Sequence, residues 1–341
     1  MPNSQWGADP VPAPGARQVV FVVGPGRSGT SAVTGVLERV GLHAPGPHVT
    51  ADDTNPLGFG EPRWVVDLHR RLLRRAQVLV VDARPAAWAR CQEVGAHPKV
   101  GARIEAWLEE QLAAHPRLVV KDPRLAWFID AWTPAAERCG ASVAYLTMLR
   151  SPVEVLGSRQ LHYRNALRPI SGMAQWLNLM LGTERLTRGS SRTWVPYHDL
   201  LADPVRAVRR AGEALHVESA RSMSPRDEAA VRGFIDPSLR RSTTSWDSVD
   251  VPPDLAALAR ETWEVFSGLA QAPDDHGVVA ALEKCWDRYE RMYSEAEALT
   301  MSTAIAWQTK ALVRKSPRGV AAGVRRRASR LAGGRSTESP G

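Results

Sequence analysis

The stretch "VVFVVGPGRSGTSAVTGVL", residues 19–37, constrains the fold of this chain more than any other part of the sequence. A run of five apolar residues enters a tight turn between Gly24 and Gly29, and the turn opens into a segment with helical apolar periodicity. A strand, a glycine loop and a helix in this order present backbone N–H groups to an anion, most often a phosphate. The sequence therefore predicts an anion-binding loop at the end of its first strand.

Strand-like apolar runs alternate with helical segments along most of the chain, which is typical of a parallel sheet with helices on both faces. We predict a three-layer α/β/α fold with a mostly parallel sheet, in which ligands bind at the carboxyl ends of the strands. The predicted strands are 18–23, 77–82, 117–121, 141–150 and 193–197. The predicted helices are 29–40, 63–76, 101–114, 125–138 (with Pro134 as a possible break), 152–166, 171–188 and 199–214, and the chain to about residue 297 is mostly helical.

The net charge of +8 belongs to one segment of the chain. Residues 310–341 hold nine Lys and Arg and one acid, Glu338, so the rest of the chain has 35 of the 44 basic residues against 35 of the 36 acidic ones. This distribution argues against a nucleic-acid-binding fold and predicts a surface or partner contact made by the tail, for which an anionic membrane is one hypothesis. We expect a disordered N-terminus over 1–17, one catalytic domain over 18–300, and a basic extension over 301–341, partly helical or disordered.

The three cysteines form no zinc or disulfide spacing, and the N-terminus has no apolar signal segment. We therefore expect a soluble, cytoplasmic protein, with peripheral contact at the inner membrane face as the further hypothesis raised by the tail. The longest apolar runs are too short to span a membrane.

The glycine loop fits two familiar nucleotide motifs incompletely. A Walker A loop needs a lysine where this chain has Thr30, and without it ATP or GTP hydrolysis is not favoured. "GPGRSG" matches the dinucleotide fingerprint letter for letter, but no apolar run precedes Asp52 and Asp53, where a ribose-binding acid is needed. Arg27 also occupies the tightest part of that turn.

A third interpretation uses every residue of the loop. Arg27 supplies a counter-charge, and the residues after it supply N–H and O–H donors at a helix N-terminus, as a 5′-phosphosulfate requires. The alternative without function is a tight turn with a solvated arginine.

"GPGRSGTS" resembles the 5′-phosphosulfate loop of sulfotransferases that use 3′-phosphoadenosine 5′-phosphosulfate as donor. This resemblance extends from about residue 18 to about residue 245, and it implies that the loop binds the 5′ end of the donor. The implied loop residues are Gly26, Arg27, Ser28, Gly29, Thr30 and Ser31.

Three further segments extend the resemblance. In "LRSPVEVLGSR", Arg150 and Ser158 resemble the pair that binds the 3′ phosphate of the donor, which suits a forked guanidinium and a hydroxyl donor. In "VVKDPR", Lys121 is implied to face the sulfuryl group, whereas Asp122 and Arg124 are expected to form a structural ion pair. The late element "FIDPSLRRS" offers Arg240 or Arg241 to close over the nucleotide, or to remain solvated.

The segment "DDTNPLGFGEPRW" supplies the expected catalytic base, Glu61. Bacterial relatives have a tryptophan where this chain has Gly60, a departure that predicts a wider acceptor pocket or a loop of different shape. His48 and His69 are the rival bases, since other branches of the family use histidine.

The resemblance thus implies a sulfotransferase that transfers a sulfuryl group to a hydroxyl or amine of a small-molecule, glycan or lipid acceptor, without a metal ion. Two alternatives remain: an NAD(P)-type dinucleotide-binding oxidoreductase, and an inactive relative that binds a nucleotide or an anionic lipid. Four tryptophans suggest an apolar or sugar-stacking surface, although such residues are more often core: Trp64, Trp127, Trp132 and Trp176.

Overall fold

The computed structural model of the chain describes residues 16–50, 58–162, 168–236, 244–272 and 275–300. The predictions for Asp52 and Asp53, for Arg240 and Arg241, for the basic extension and for nearly all of the N-terminal segment lie outside these residues. The chain divides into two compact units, Met1–Tyr289 and Glu290–Gly341, and the described part of the second is the end of the last helix. The predicted domain limits stay predictions.

A parallel sheet of four strands forms the centre of the described structure. Its order is β2-β1-β3-β4, so the first strand in sequence lies between the second and the third. The strands are β1, Gln18–Val23; β2, Arg117–Lys121; β3, Ser142–Leu149; and β4, Ser191–Pro196. Because all of them run in one direction, their carboxyl ends meet at the same edge of the sheet.

Helices connect the strands and continue beyond the last one. The helices between strands are α1, Thr30–Arg39; α2, Arg63–Ala76; α3, Ala87–Gly95; α4, Pro98–Ala114; α5, Ile129–Arg138; α6, Pro152–His162; and α7, Pro169–Leu186. Those after β4 are α8, Tyr197–Ala202; α9, Pro204–Ala214; α10, Glu218–Arg221; α11, Pro225–Phe234; α12, Pro253–Leu269; and α13, His276–Thr300. Short 3₁₀ turns cover Leu125–Phe128 and Trp246–Ser248.

Helices cover both faces of this sheet, as the nearly continuous apolar and buried runs of the strands require. On one face, Val20 and Val22 of β1 pack in a buried cluster with residues of α1, α9 and α11. On the other face, the Phe21 ring stacks on Tyr145 of β3 and meets the edge of Trp132 in α5. The predicted three-layer α/β/α fold with a parallel sheet is confirmed.

The predicted strand at 77–82 is wrong, because a buried carboxylate folds this run into a turn. Asp82 accepts hydrogen bonds from the backbone N–H groups of Leu79, at 3.2 Å, and Arg84, at 3.0 Å. An aspartate that binds nearby N–H groups in this way competes with strand pairing. Leu79 consequently points to solvent, with 66% of its surface exposed.

Two predicted helices differ in detail from those observed. The segment predicted at 125–138 begins as the 3₁₀ turn and continues as α5, and Pro134 lies inside that helix without ending it. The helix predicted at 199–214 is instead two helices, α8 and α9. They are separated at Asp203, whose carboxylate caps α9 by accepting from the Arg206 N–H at 3.1 Å, and Pro204 follows at the first helical position.

None of the helices in the described ranges is long and apolar enough to cross a membrane.

We expect Phe21→Ala to lower the free energy of unfolding by about 3–5 kcal/mol, the usual cost of removing a buried phenyl ring. Phe21 is fully buried between Tyr145 and Trp132, so the cavity opens in the centre of the sheet. Urea unfolding measures the loss, and Leu79→Ala is the matched control because its exposed side chain should contribute less than about 0.5 kcal/mol. Equal effects of the two substitutions would contradict this account of the core.

Candidate functional site

The sequence-predicted site residues that the structure describes lie at the carboxyl edge of the sheet. The glycine loop follows β1, Lys121 is the last residue of β2, and Arg150 follows β3 directly. Tyr197, the first residue after β4, belongs to the same edge. Each of the four strands therefore contributes to one site, which is where parallel sheets bind ligands.

The glycine loop is a tight turn that depends on positive φ angles. The φ angles are 121° at Gly24, 75° at Arg27 and 98° at Gly29, a backbone region that residues other than glycine rarely adopt. A Cβ on Gly29 would lie 2.4 Å from the Tyr197 ring, so glycine is also needed there for space. The Ser28 hydroxyl donates to the carbonyl of Pro25 at 2.7 Å and closes the turn.

The loop leads directly into the N-terminus of α1. No side chain caps this helix, whose N-cap position is Gly29. The first N–H groups of a helix have no intrahelical acceptor and carry the positive end of its dipole. Thr30 and Ser31 occupy the first turn, whose N–H groups suit an anion, and their role as donors to one stays a prediction. The N–H and the hydroxyl of Ser28 both donate to the Pro25 carbonyl, at 3.2 and 2.7 Å, so the expectation that Ser28 offers donors to a ligand is not met in this structure.

Arg150 joins the loop after β1 to the loop after β3. It is 5% exposed, its Nη1 donates to the carbonyl oxygen of Arg27 at 2.8 Å, and its Nε lies 3.2 Å from a carboxylate oxygen of Glu154. Its guanidinium carbon lies 4.5 Å from the centroid of the Tyr197 ring. Within the part of the chain that the structure describes, its buried Nη2 has no hydrogen-bond partner.

Ser158 lies beside Arg27 in the structure. The Nε of Arg27 donates to the Ser158 hydroxyl at 3.2 Å, and Ser158 is buried in α6. Arg27, which is predicted for the 5′ end of the donor, is thus in contact with Ser158, which is predicted for the 3′ end. Arg159, which the sequence analysis did not select, follows Ser158, and its Nη2 lies 4.0 Å from the position of a Cβ on Gly26.

Glu61 is held at the site by a short pairing between two loop segments. The N–H of Val49 donates to the carbonyl of Glu61 at 2.9 Å, and the N–H of Arg63 donates to the carbonyl of Pro47 at 2.8 Å. His48 is bridged to Pro62 in the same pairing. These bonds fix the chain on both sides of Glu61.

Gly60 has a backbone conformation that favours glycine. Its φ is +61°, and a Cβ on it would lie 3.2 Å from Cγ2 of Thr34 in α1. A larger residue is strained in this backbone conformation. The glycine turns the chain so that the Phe59 carbonyl and the Glu61 side chain both reach Lys121.

Lys121 is a buried ammonium group with three acceptors. Its Nζ lies 2.6 Å from Oε1 of Glu61, 3.0 Å from the Phe59 carbonyl oxygen and 3.2 Å from the Ser31 hydroxyl. Ser31 in turn donates to the Phe59 carbonyl at 3.1 Å. The expected base, the expected sulfuryl-facing lysine and the last residue of the glycine loop therefore form one cluster.

A second buried chain of hydrogen bonds adjoins this cluster. Trp132 donates its indole N–H to Nε2 of His69 at 2.8 Å, so the proton of the imidazole is on Nδ1, which lies 2.8 Å from Oδ2 of Asp122. Arg124 donates to the other oxygen of Asp122 from its Nη1, at 2.7 Å, and from its backbone N–H, at 3.0 Å. The ion pair expected from the sequence is thus present.

Burial alone raises the pKa of Asp122, but the hydrogen bond from His69 and the charge of Arg124 outweigh it and hold that pKa well below its usual range. Asp122 therefore carries its negative charge inside the protein at neutral pH. The same contacts bear on the rival base His69, which is fully buried with both ring nitrogens engaged. This placement argues against His69 as the base, and the assignment to Glu61 rather than His48 stays a prediction.

The tryptophans divide between the core and the surface. Trp127, Trp132 and Trp176 are buried in the core, as most such residues are. Trp64, in the first turn of α2, is half-buried and stacks on Trp107 with ring centroids 5.0 Å apart. Of the four, only Trp64 keeps part of its surface available to a ligand.

The sequence analysis did not select Tyr197 and treated Arg124 as purely structural. Tyr197 directly follows β4, and a residue in that position of a parallel strand is a signal that sequence alone could have given. Arg124 lies 3.7 Å from Oε2 of Glu61, a contact that requires the fold. Among the described residues there is no group of three or more His, Cys, Asp or Glu that could hold a metal ion.

Comparisons with known proteins give little family information. No family model matches the chain, and no curated protein matches it. Among solved structures, it is similar to the sulfotransferase domain from the Synechococcus PCC 7002 olefin synthase, at 19% identity and a TM-score of 0.41, over 76% of this chain and 98% of that one. The functional conclusion therefore depends on the motifs and on the geometry of the site.

We expect Asp122→Asn to lower the free energy of unfolding at pH 7 by about 3–5 kcal/mol, the cost of removing one partner of a buried pair. The pKa of Asp122 is lower in the folded state than in the unfolded state, so its ionisation stabilises the fold above the unfolded value, about 3.9. This contribution is lost as the pH falls through the folded-state value. The stability difference between wild type and variant should therefore narrow below about pH 4.

Urea unfolding of both proteins at a series of pH values, as far down as both remain folded, measures this difference. A difference that is absent at pH 7, or that grows on acidification, would contradict the assignment of a buried, ionised Asp122.

Proposed function

We propose that this protein is a sulfotransferase that uses 3′-phosphoadenosine 5′-phosphosulfate as donor and a hydroxyl or amine as acceptor. The observation that carries the proposal is the buried Nη2 of Arg150, which has no partner among the described residues although it lies beside a glycine loop and a helix N-terminus. A buried guanidinium N–H without an acceptor is costly unless a ligand supplies one. A phosphate group has the geometry for that role.

The residues present fit both ends of the donor. Arg150 and Ser158 are adjacent through Arg27 and suit the 3′ phosphate, since a forked guanidinium and a hydroxyl can share its oxygens. The N–H groups of the loop and of the first turn of α1 suit the 5′-phosphosulfate. Arg27 contacts both members of the 3′ pair, Ser158 through its side chain and Arg150 through its backbone carbonyl.

When bound, the donor supplies an activated sulfuryl group on a leaving phosphate. Glu61 accepts the proton of the acceptor hydroxyl while the acceptor oxygen forms its bond to sulfur and the bond from sulfur to the bridging phosphate oxygen breaks. In this proposal Lys121 turns from its contact with Glu61 to stabilise the sulfuryl oxygens. Arg27 and the loop N–H groups stabilise the charge on the leaving phosphate. Such preorganised donors contribute a few kcal/mol each to transition-state stabilisation.

The oxidoreductase alternative finds no support at this site. The strand beside β1 ends in Lys121, which is paired with Glu61, and the aspartate after it is occupied by His69 and Arg124. The inactive relative was suggested only by Gly60, and the conformation of that residue brings Glu61 to Lys121. The acceptor class and the membrane contact of the basic extension stay predictions.

The direct test is transfer of labelled sulfate from the donor to an extract of the metabolites of the native producer. Labelled products that depend on both donor and protein support the proposal. Tight binding of a nicotinamide cofactor without any transfer would favour the oxidoreductase, and nucleotide binding without transfer the inactive relative.

We expect Arg150→Ala to weaken the binding of 3′,5′-bisphosphoadenosine by about 1.5–3 kcal/mol, the range for hydrogen bonds to charged groups. The selectivity for this nucleotide over adenosine 5′-phosphate should collapse, because the variant lacks the group that meets the 3′ phosphate. Calorimetry with both nucleotides measures the selectivity. Arg192→Ala is the matched control, since Arg192 is equally buried but pairs with Glu184 at 3.0 Å. Selectivity that is retained in Arg150→Ala would contradict the assignment.

We expect Glu61→Gln to lower kcat at least 100-fold, within the range for removing a general base, with unchanged affinity for 3′,5′-bisphosphoadenosine. The amide keeps the shape of the side chain but cannot accept the proton. Steady-state kinetics and calorimetry separate the two quantities. An active Glu61→Gln together with an inactive His48→Ala or His69→Ala would place the base elsewhere.

A further inference from the structure

Two cations face the two oxygens of the Glu61 carboxylate. Lys121 Nζ lies 2.6 Å from Oε1, and Arg124 Nη1 lies 3.7 Å from Oε2. The lysine contact is short and buried, whereas the arginine contact is longer and its side chain is 17% exposed. The carboxylate is therefore held mainly by Lys121 in the structure as it stands.

The proposed function gives Lys121 a second anion to bind. The sulfuryl oxygens of a donor compete with Glu61 for the same ammonium group, which has three N–H donors and already has three acceptors. When Lys121 turns toward the donor, Glu61 loses its short contact at the moment when it must be aligned with the acceptor. A second group is then needed to keep the carboxylate in place.

Arg124 is held rigidly enough to be that group. Oδ1 of Asp122 accepts from both its backbone N–H and its Nη1, and Oδ2 of Asp122 is 2.8 Å from Nδ1 of His69. Trp132 then fixes the imidazole through Nε2. The side chains of Asp122, His69 and Trp132 are fully or almost fully buried, so the chain of hydrogen bonds is anchored in the core and ends beside Glu61.

We propose that Arg124 is a positioning residue, held by the buried chain of Trp132, His69 and Asp122, that keeps the Glu61 carboxylate oriented when Lys121 engages the sulfuryl group. This inference rests on the proposed function and adds to it a residue that acts through Glu61. Arg124 forms no bond to the reacting atoms, and no proton moves along the buried chain.

The first test is Arg124→Met, which keeps an unbranched apolar side chain and removes the guanidinium with its charge. We expect kcat to fall about 10- to 100-fold, since a misplacement of about 1 Å can cost 100-fold in rate. The affinity for 3′,5′-bisphosphoadenosine, measured by calorimetry, should be unchanged because Arg124 contacts neither the glycine loop nor Arg150 in the contacts described above.

The second test compares two substitutions of His69. Asn places an amide N–H near the position of Nδ1 and can still donate to Asp122, whereas Leu cannot. We expect His69→Asn to retain most of kcat and His69→Leu to lose it to the same extent as Arg124→Met. If His69→Leu does not fold, Arg124→Met and His69→Asn still test the proposal.

The control is Asp82→Asn. Asp82 lies in a turn of the same kind, two residues before Arg84, with which it forms an ion pair at 2.6 Å, as Asp122 does with Arg124. Its loss should lower the unfolding temperature but leave kcat of the folded protein unchanged. If a loss of stability were enough to lower kcat, Asp82→Asn would lower it as well.

The outcomes separate the two proposals. No sulfuryl transfer by the wild type overturns the proposed function, and this inference with it. Transfer by the wild type with unchanged kcat in Arg124→Met, or an equal fall in kcat in Asp82→Asn, overturns the positioning role alone. A fall in kcat confined to Arg124→Met and His69→Leu, with unchanged nucleotide affinity, supports it.

Discussion

The buried ion pair between Lys121 and Glu61 is the interaction on which the rest of the site depends. Removing two charges from water costs several kcal/mol for each ion, and their attraction compensates only if the remaining donors and acceptors are also satisfied. The surrounding structure does this with the Ser31 hydroxyl, the Phe59 carbonyl and the Arg124 guanidinium. The glycine loop, the left-handed Gly60 and the turn after β2 are therefore joined around a single pair of charges.

Buried contacts also hold the glycine loop on the side of β3 and β4. Arg150 binds the Arg27 carbonyl and packs over Tyr197, while Tyr197 fills the space that a side chain at position 29 would need. The glycine loop is thus shaped by contacts from the residues after β3 and β4 as well as by its own glycines. A change at Tyr197 would therefore alter both the space beside Gly29 and the packing of Arg150.

Local patterns predicted most of the fold. The helix at 63–76 and the strand at 117–121 have the bounds predicted from periodicity and from an apolar run, because both lie where tertiary contacts agree with local preference. The prediction of a strand at 77–82 was wrong because the Asp82 carboxylate accepts from two backbone N–H groups and forms a turn. The hydrophobic pattern of the run does not reveal these hydrogen bonds. The break at Asp203 could have been predicted from the sequence, because an aspartate followed by a proline indicates the start of a new helix.

The site was only partly predictable. The strand-loop-helix pattern identified the glycine loop, and the family resemblance implied Lys121, Glu61, Arg150 and Ser158. The structure brings these residues together at one edge of the sheet, although their roles stay predictions. The contacts among them were not predictable, because they join residues that are far apart in sequence. Sequence could present Arg124 as the partner of Asp122, but only the fold places it beside Glu61, and the same holds for the burial of His69 between Asp122 and Trp132.

The position of β1 in the middle of the sheet also has a consequence for how the chain acquires its structure. Gln18 pairs with Arg117 on one side and with Ser142 on the other, so the strand emerges from the ribosome long before either neighbour exists. Until then both edges of this valine-rich strand are unpaired. Pairing requires the closure of a loop of about 100 residues, and such closure is intrinsically slow. The exposed apolar strand is prone to aggregation in the meantime. β1 is therefore synthesised before both of its neighbours but is covered only after them, and the glycine loop that follows it takes its final shape only when residues near 150 and 197 are in place.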